Sequence, residues 1–319
     1  MRRSVAAFFI ALIFCSQGLA QPYPAKPIRI VVPFPAGGIA DIYSRLLGNR
    51  WTELWGQPVL VENRTGAGGY IAAEMVAKSA PDGYTLVMGS IGTHAVNVTL
   101  FSKLSYDPVR DFAPIALAVD ADGLLAVHPS VPANSVAELI ALARSKPGGL
   151  TYASAGAGTA SHLAGELFKS MAKVDMVHVP YKGNVPAITD LLAGQTSLIF
   201  ATMPTVLPHT KAGKLRALAT TGDARAAATP ELPTVNESLP GFIVNNWVGL
   251  FAPAGTPPEI VNRLNAETRN FMQSKEITVR LTAEGARFVP MTPEQFGAFV
   301  KAEVAKWAPV VKASGAKAD

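Results

Sequence analysis

Short apolar runs alternate with longer amphipathic stretches along the chain, and this alternation predicts strands and helices in turn. The apolar run 28–32 predicts a buried strand, and the spacing of Ile42, Leu46, Leu47 and Leu54 predicts a helix after it. Further strands are predicted at 59–61, 84–88, 124–127, 150–153, 177–179, 198–200 and 215–219. Such alternation is typical of βαβ units around a parallel sheet, so the chain is predicted to be an α/β protein.

Three sequence motifs of the capping-box type predict where helices begin. In each, Ser or Thr is followed three positions later by Glu or Gln, so the two residues can satisfy backbone N–H groups reciprocally. The pairs are Ser135 with Glu138, Thr256 with Glu259, and Thr292 with Gln295. An apolar stripe after the last pair predicts a long final helix, and the segment 229–241 is predicted to be a surface connection.

The first twenty residues have the form of a secretory signal peptide, with cleavage predicted after Ala20. Arg2 and Arg3 precede an apolar run too short to span a bilayer, and small residues follow it. Cleavage lowers the formal net charge from +5 to +3 by removing the two arginines, and it also removes Cys15, the only cysteine. The mature protein therefore has no disulfide or catalytic thiol, and its dispersed charge argues against a nucleic-acid partner.

Three turns follow one design, in which a strand ends, small residues follow and a helix begins. They span residues 33–41, 63–70 and 154–162, and are called the first, second and third turns below. At a helix start the first backbone N–H groups lack partners and the helix dipole is positive, so small residues let an anion approach. In open α/β sheets, ligands sit beyond the carboxyl ends of the strands, where these turns lie. Glycine explains any one tight turn by itself, but three such turns together predict a ligand site.

Motifs for other functions are incomplete or missing. The run 156–161 has two glycines of a dinucleotide fingerprint but Ser161 at the third position. The chain contains neither a GxxxxGK[ST] phosphate loop nor the GxSxG motif of a serine hydrolase, and its five histidines are too scattered for a local metal motif. The sequence therefore predicts no cofactor, no metal ion and no enzymatic activity.

Two side chains near the helix starts have two interpretations each. Asp41 lies where a helix dipole favours a carboxylate, so its role is either purely structural or functional, and in the functional case it holds the turn at Gly37 and Gly38 in shape or contacts the ligand through water. His162 and Glu166 are four residues apart on a predicted helix, a spacing typical of an exposed pair. Alternatively, His162 orients the turn that precedes it.

Motifs along the whole mature chain resemble those of the Bug-type periplasmic solute receptors, the binding components of tripartite tricarboxylate transporters. The first is the run 23–41, which contains Pro33-Phe34-Pro35-Ala36-Gly37-Gly38 and Asp41. The others lie at 56–59, 62–64, 66–69, 81–86, 106–108, 111–115, 152–162, 179–183, 190–195 and 252–257. Because they occur in order over essentially the whole mature chain, the resemblance is highly specific.

The resemblance implies a bilobal periplasmic binding protein fold of the type II kind, with two α/β lobes joined by crossing segments. Residues 21–122 and 245–319 would form one lobe and residues 123–244 the other, and 319 residues are enough for two such units. It also implies a monomer in the periplasm that closes around a small organic acid by hinge motion. The ligand would then be delivered to the permease subunits of a membrane transporter.

Receptors of this family resemble one another in holding a ligand carboxylate with backbone N–H groups and bridging waters. The resemblance therefore implies ligand-binding residues in both lobes. They are Phe34, Ala36, Gly37, Gly38 and Asp41, with Ser90 and Thr93 after the third strand, and Ser154, Gly158, Thr159 and His162 in the other lobe.

One departure from the family concerns the residues after the strand at 198–200. The family often has an acidic residue there, whereas this chain has Ala201-Thr202-Met203. If these residues face the cleft, the pocket favours a plain carboxylate over an amino acid, whose ammonium group needs a carboxylate partner. Two other functions stay open: a sensory partner of a signalling receptor, and a periplasmic enzyme that uses His162 or Asp41 as a base.

Overall fold

The computed structural model describes residues 23–317, so the predicted signal peptide lies outside the described residues. No helix in this range is long and apolar enough to cross a membrane. The elements, in order, are β1 Ile28–Val32, α1 Ile39–Trp55, β2 Val59–Asn63, α2 Tyr70–Ala77, β3 Thr85–Ser90, α3 Asn97–Leu100, β4 Phe112–Val127, α4 Val136–Ser145, β5 Thr151–Ser154, α5 Ala160–Ala172, β6 Val177–Pro180, α6 Asn184–Leu192, β7 Leu198–Thr202, α7 Met203–Lys211, β8 Arg216–Thr220, α8 Val235–Ser238, β9 Asn245–Pro253, α9 Pro258–Met272, α10 Lys275–Ala283, β10 Ala286–Arg287 and α11 Pro293–Ser314.

The strands form two groups of parallel neighbours that are joined by antiparallel strands. In the first lobe β1 pairs in parallel with β2 and β3, and in the second lobe β5 pairs in parallel with β6 and β7. Between them β9 is antiparallel to β3 and β4, and β4 is antiparallel to β7 and β8. The sheet is therefore mixed, whereas the alternation of strands and helices predicts a parallel one. The prediction holds only within each lobe, because the strands that connect the lobes run in opposite directions.

The long strand β4 carries the chain from one lobe into the other. Its 16 residues pair with β9 as far as Asp122, and from Gly123 onward they pair with β7 and β8. The sequence predicts only the last part of β4 and misses β9, because Pro114, Asp120 and the Asn245–Asn246 pair interrupt the apolar pattern. The residue boundaries of the two lobes stay a prediction.

The cores lie on both faces of the sheet, as expected for α/β lobes. Alternate residues of β1 serve both faces: Ile28, Ile30 and Val32 pack under α1, while Val31 belongs to a cluster on the opposite face. That second cluster is continuous from the first lobe into the second, so one apolar layer supports both sides of the cleft described below.

The helix starts confirm one of the three predicted capping boxes. Thr292 and Gln295 cap α11 reciprocally. Ser135 accepts from the Glu138 backbone, but the Glu138 carboxylate accepts from residue 134 instead of returning the bond. The prediction at Thr256 is wrong, because α9 begins after Pro257, and the Thr256 hydroxyl donates to a carbonyl oxygen. A capping box not predicted, Thr234 with Glu237, begins α8 inside the segment predicted as a surface connection.

Candidate functional site

A cleft between the two lobes is the candidate site. Its empty space amounts to about 720 Å³ when the open solvent at its mouth is counted. None of its lining residues carries a charge. Its polar side chains are hydroxyl and amide groups from both lobes and from the crossing segments: Ser90, Thr159, Ser161, Asn184, Thr202, Thr221 and Asn246.

The first turn brings the start of α1 to one wall of this cleft. Phe34, Gly38, Ile39 and Ala40 line the cleft. Gly38 is the N-cap residue of this helix, and no side chain caps the helix start. The first backbone N–H groups of α1 therefore keep their donor capacity next to the cleft, and the helix dipole makes this end positive.

The Asp41 carboxylate supports the first turn from beneath and is not among the lining residues. Its Oδ2 atom accepts from the Gly37 N–H at 2.9 Å, and its Oδ1 atom accepts from Arg45 and Asn63. Asn63 also donates to the Phe34 carbonyl oxygen at 2.9 Å. Burial opposes ionisation of Asp41, but the hydrogen bonds from Arg45, Gly37 and Asn63 hold its pKa below the ordinary value. Of the two interpretations of Asp41, this geometry supports the one in which the carboxylate holds the turn at Gly37 in shape, and contact with the ligand through water stays a prediction.

The third turn brings the start of α5 to the cleft from the second lobe. Thr159 is the N-cap residue and lines the cleft together with Ala160 and Ser161. The Thr159 hydroxyl does not cap the helix, because it donates to the Gly156 carbonyl oxygen at 2.7 Å. The Ser161 hydroxyl accepts from the Ala155 N–H at 2.8 Å. This helix start also has free backbone donors beside the cleft.

A stack of aromatic side chains lies beneath the third turn. The Gly158 N–H donates to His162 Nδ1 at 3.1 Å, and the His162 ring stacks on His178 at 4.3 Å between centroids. His178 Nε2 lies 2.6 Å from the Ser154 hydroxyl, which also accepts from the Gly156 N–H. Burial lowers the pKa of His162, and burial together with the neighbouring His162 lowers the pKa of His178 to about 4. Both rings are therefore neutral at pH 7, and His162 orients the turn.

The second turn does not line the cleft and instead joins the two lobes. An added Cβ atom on Gly68 would lie 2.5 Å from the Ala157 carbonyl oxygen of the third turn. An added Cβ on Gly183 would lie 2.6 Å from Cδ of Pro35 in the first turn. The lobes thus meet closely at two glycine positions, with backbone against backbone at Gly68 and backbone against the Pro35 ring at Gly183.

Ser90 lines the floor of the cleft and is held by a buried pair of residues. Thr93 Oγ1 accepts from the Ser90 N–H at 2.9 Å and lies 2.8 Å from His94 Nδ1. Both residues belong to the π-helical turn Gly92–Val96, a distortion that often marks functional sites. Burial lowers the pKa of His94 to about 3, so this ring is neutral. No group of three or more metal-ligating side chains in residues 23–317 could hold a metal ion.

The structure brings the predicted site residues together in two layers. Phe34, Gly38, Ser90 and Thr159 line the cleft. The others lie within or beneath the same turns and are not among the lining residues, so their part in ligand binding stays a prediction: Ala36, Gly37, Asp41, Thr93, Ser154, Gly158 and His162.

Sequence reasoning missed the parts of the cleft that come from α6 and from the crossing segments. Asn184 and Val185 begin α6, and Gly123, Thr221 and Asn246 lie where the chain passes between lobes. The sequence did contain one signal for the cleft lining, because residues 201–203 depart from the family pattern. Residues 201 and 202 do line the cleft.

Comparison with known proteins agrees with this geometry. Residues 44–316 match the sequence model of the family described as "Tripartite tricarboxylate transporter family receptor". The chain is 38% identical to protein BugT of Bordetella pertussis over 315 residues, which are 97% of each chain. The structure is similar to that of R. palustris Rpa4515 with adipate, with a TM-score of 0.89 and 39% identity over 92% of this chain and 98% of the other.

A second solved structure is similar to a slightly lower degree. It is MatC (Rpa3494) from Rhodopseudomonas palustris with bound malate, with a TM-score of 0.86 and 36% identity over 91% of this chain and 100% of the other. The resemblance seen in the sequence is thus confirmed, and so is the predicted bilobal periplasmic binding protein fold.

Proposed function

Because the chain belongs to the tripartite tricarboxylate transporter receptor family, we propose that it captures a small organic carboxylate in the periplasm and delivers it to membrane permease subunits. The family is one of solute-binding receptors. Two relatives of similar structure were solved with adipate and malate, both of which are carboxylates. The ligand would occupy the cleft between the lobes, which close around it by hinge motion at the crossing segments.

One observation carries the proposal: two helix starts without side-chain caps line the same cleft from opposite lobes. The N-terminal residues of α1 and of α5 both contribute to its wall. Free N–H groups and the positive end of a helix dipole attract an anion without any charged side chain. A carboxylate held between the two starts would draw the lobes together, which couples binding to closure.

The geometry argues against the enzyme interpretation, in which His162 or Asp41 acts as a base. His162 Nδ1 already accepts from the Gly158 N–H, and the Asp41 carboxylate is bound by Arg45 and Asn63. Neither side chain lines the cleft. A general base must reach the proton that it removes, so their positions outside the lining argue against this role.

A thermal-shift screen of dicarboxylates, tricarboxylates, aromatic acids and amino acids tests ligand binding. A ligand present at 100 times its Kd adds about 2.7 kcal/mol to the apparent free energy of unfolding, which raises the melting temperature measurably. Mass spectrometry of small molecules released from the purified protein identifies the natural ligand independently. Stabilisation by neutral solutes but by no carboxylate would contradict the proposal.

Delivery to a permease is tested in cells that produce this protein. Deleting its gene should abolish uptake of the labelled ligand, and restoring the gene should recover uptake. A sensory partner would give a different result, since its deletion would leave uptake intact and remove a transcriptional response to the ligand.

A further inference from the structure

A series of hydrogen bonds ends at the wall of the cleft, at the side chain that begins α6. Asn184 and Thr202 both line the cleft. Asn184 Nδ2 donates to Thr202 Oγ1 at 3.1 Å, and Thr202 Oγ1 lies 3.1 Å from Thr205 Oγ1. The Thr205 hydroxyl in turn donates to the Thr202 carbonyl oxygen at 2.8 Å. Because each hydroxyl has only one hydrogen, these contacts constrain one another.

The direction of this series fixes the orientation of the Asn184 amide. The Thr205 hydrogen is used on a carbonyl oxygen, so the contact between the two hydroxyls must use the Thr202 hydrogen. Thr202 Oγ1 can then only accept from Asn184, which requires the NH₂ end of the amide to face Thr202. The other end, Asn184 Oδ1, is buried and has no hydrogen-bond partner among residues 23–317, so a donor from the cleft reaches it only with a local shift at the start of α6.

We propose that the ligand supplies this missing donor, so that the receptor selects carboxylates that also bear a neutral hydrogen-bond donor such as a hydroxyl group. An ionised carboxylate has no hydrogen to donate, so a plain dicarboxylate leaves Asn184 Oδ1 unpaired. An ammonium donor would bring a positive charge into a cleft whose lining has no negative one. A hydroxyl group satisfies the amide oxygen without that cost. This inference rests on the function proposed above and names the ligand class of the same cleft.

Matched ligands that differ by one hydroxyl group test the inference. Succinate is paired with malate, and adipate with 2-hydroxyadipate, and the Kd of each for the mature protein is measured by titration calorimetry. We expect the hydroxylated member of the pair that fits the cleft to bind about tenfold more tightly, which corresponds to about 1.4 kcal/mol. Aspartate, the ammonium counterpart of malate, should bind more weakly than malate.

Three variants separate this role from a merely structural one. Asn184→Leu keeps the branched shape of the side chain but removes the acceptor, so hydroxylated and plain ligands should bind with about equal affinity. Thr202→Val removes the acceptor that orients the amide, which can then turn its NH₂ group toward the ligand and favour the plain carboxylate. Asn262→Leu is the matched control, because this asparagine is exposed on α9 away from the cleft, and it should keep the tenfold preference.

The outcomes distinguish this inference from the function on which it rests. Equal affinity for both members of each pair in the wild-type protein would overturn the inference and leave a carboxylate receptor in place. An unchanged preference in Asn184→Leu, with a ligand-free melting temperature close to wild type, would overturn it as well. If neither plain nor hydroxylated carboxylates bind, the proposed function fails, and the inference fails with it.

Discussion

The first and third turns have nearly the same backbone but are held by different chemistry. Gly37 and Gly158 both have a left-handed backbone, with φ of 83° and 78°, and both donate their N–H to a side chain four residues later. The N-cap residues that follow also match, with φ and ψ of −79° and 165° at Gly38 and −78° and 160° at Thr159. In the first turn the accepting side chain is Asp41, and in the third turn it is a histidine.

This difference shows that the shape of the turn does not depend on the charge of the side chain that supports it. The Asp41 carboxylate places a negative charge beneath a turn that we propose binds an anion, and Arg45 offsets that charge at 2.9 Å. The third turn avoids the problem, because burial keeps His162 neutral. The same loop geometry can therefore be built on an ion pair or on a neutral ring, with different sensitivity to mutation and to pH.

The largest effect is expected from filling the cleft at the first turn. Gly38→Val places a branched side chain in the wall of the cleft at the start of α1. Ligand affinity should therefore fall by more than about a hundredfold, or about 2.7 kcal/mol. The backbone of Gly38 suits any residue, and an added Cβ meets only the Pro35 carbonyl oxygen at 3.6 Å. The ligand-free melting temperature should thus stay near wild type. Gly38→Ala should give a smaller loss, and unchanged affinity in both variants would place the ligand elsewhere.

A second prediction compares the two supporting side chains directly. Asp41→Asn should lower the free energy of unfolding by about 2 kcal/mol. Both carboxylate oxygens accept hydrogen bonds, so the new NH₂ group must face the donor of Gly37 or those of Arg45 and Asn63, and these donors lose their acceptor. His162→Asn should cost only about 1 kcal/mol, since an amide oxygen can accept from the Gly158 N–H. Urea denaturation measures both values. Equal costs would mean that the two supports are equivalent after all.

These roles show how far the sequence predicts the site. The small residues of each turn are visible in the sequence, as is an acidic residue at the start of α1. The partner that matters, Asn63, is 22 positions from Asp41 and reaches it only because β2 lies beside β1. Likewise, nothing local indicates that His178 stacks under His162. The sequence therefore predicts turns at the cleft, but not that the second turn lies outside its lining, nor which side chains support the other two.

The contact between lobes gives a third prediction, of intermediate size. Gly68→Ala would press a methyl group against the Ala157 carbonyl oxygen and hold the third turn away from the first lobe. Ligand affinity should fall about tenfold, or about 1.4 kcal/mol. Small-angle scattering should show a larger radius of gyration for the liganded protein. Gly213→Ala is the matched control, because its φ of 69° imposes similar backbone strain with nothing within 4 Å. A similar loss in both variants would trace the effect to strain alone.

The smallest predicted effect is a pH dependence that the first turn lacks. Because burial lowers the folded-state pKa of His162, the unfolded chain binds protons first as the pH falls below about 6.5, and stability is lost from there downward. Protonation of Nδ1 also breaks the bond from Gly158, so affinity should fall about threefold between pH 7 and pH 5. The lowered pKa of Asp41 preserves the first turn until the pH drops below about 3.9.

His162→Asn supplies the control for this titration. The asparagine does not ionise, so the variant should show a flatter affinity profile over the same pH range. A wild-type profile identical to that of the variant would assign the pH dependence to the ligand carboxylates.

The order of strands along the chain has a consequence for how the protein is made. In the first lobe β9 lies between β3 and β4, whereas every strand of the second lobe precedes β9 in the chain. The lobe that contains β1 is therefore the last to be completed during synthesis, although domains commonly fold from the N-terminus onward. Until β9 emerges, β3 presents an open edge that can pair with other chains. Nascent chains that stop before residue 245 should for this reason be the species most prone to aggregate.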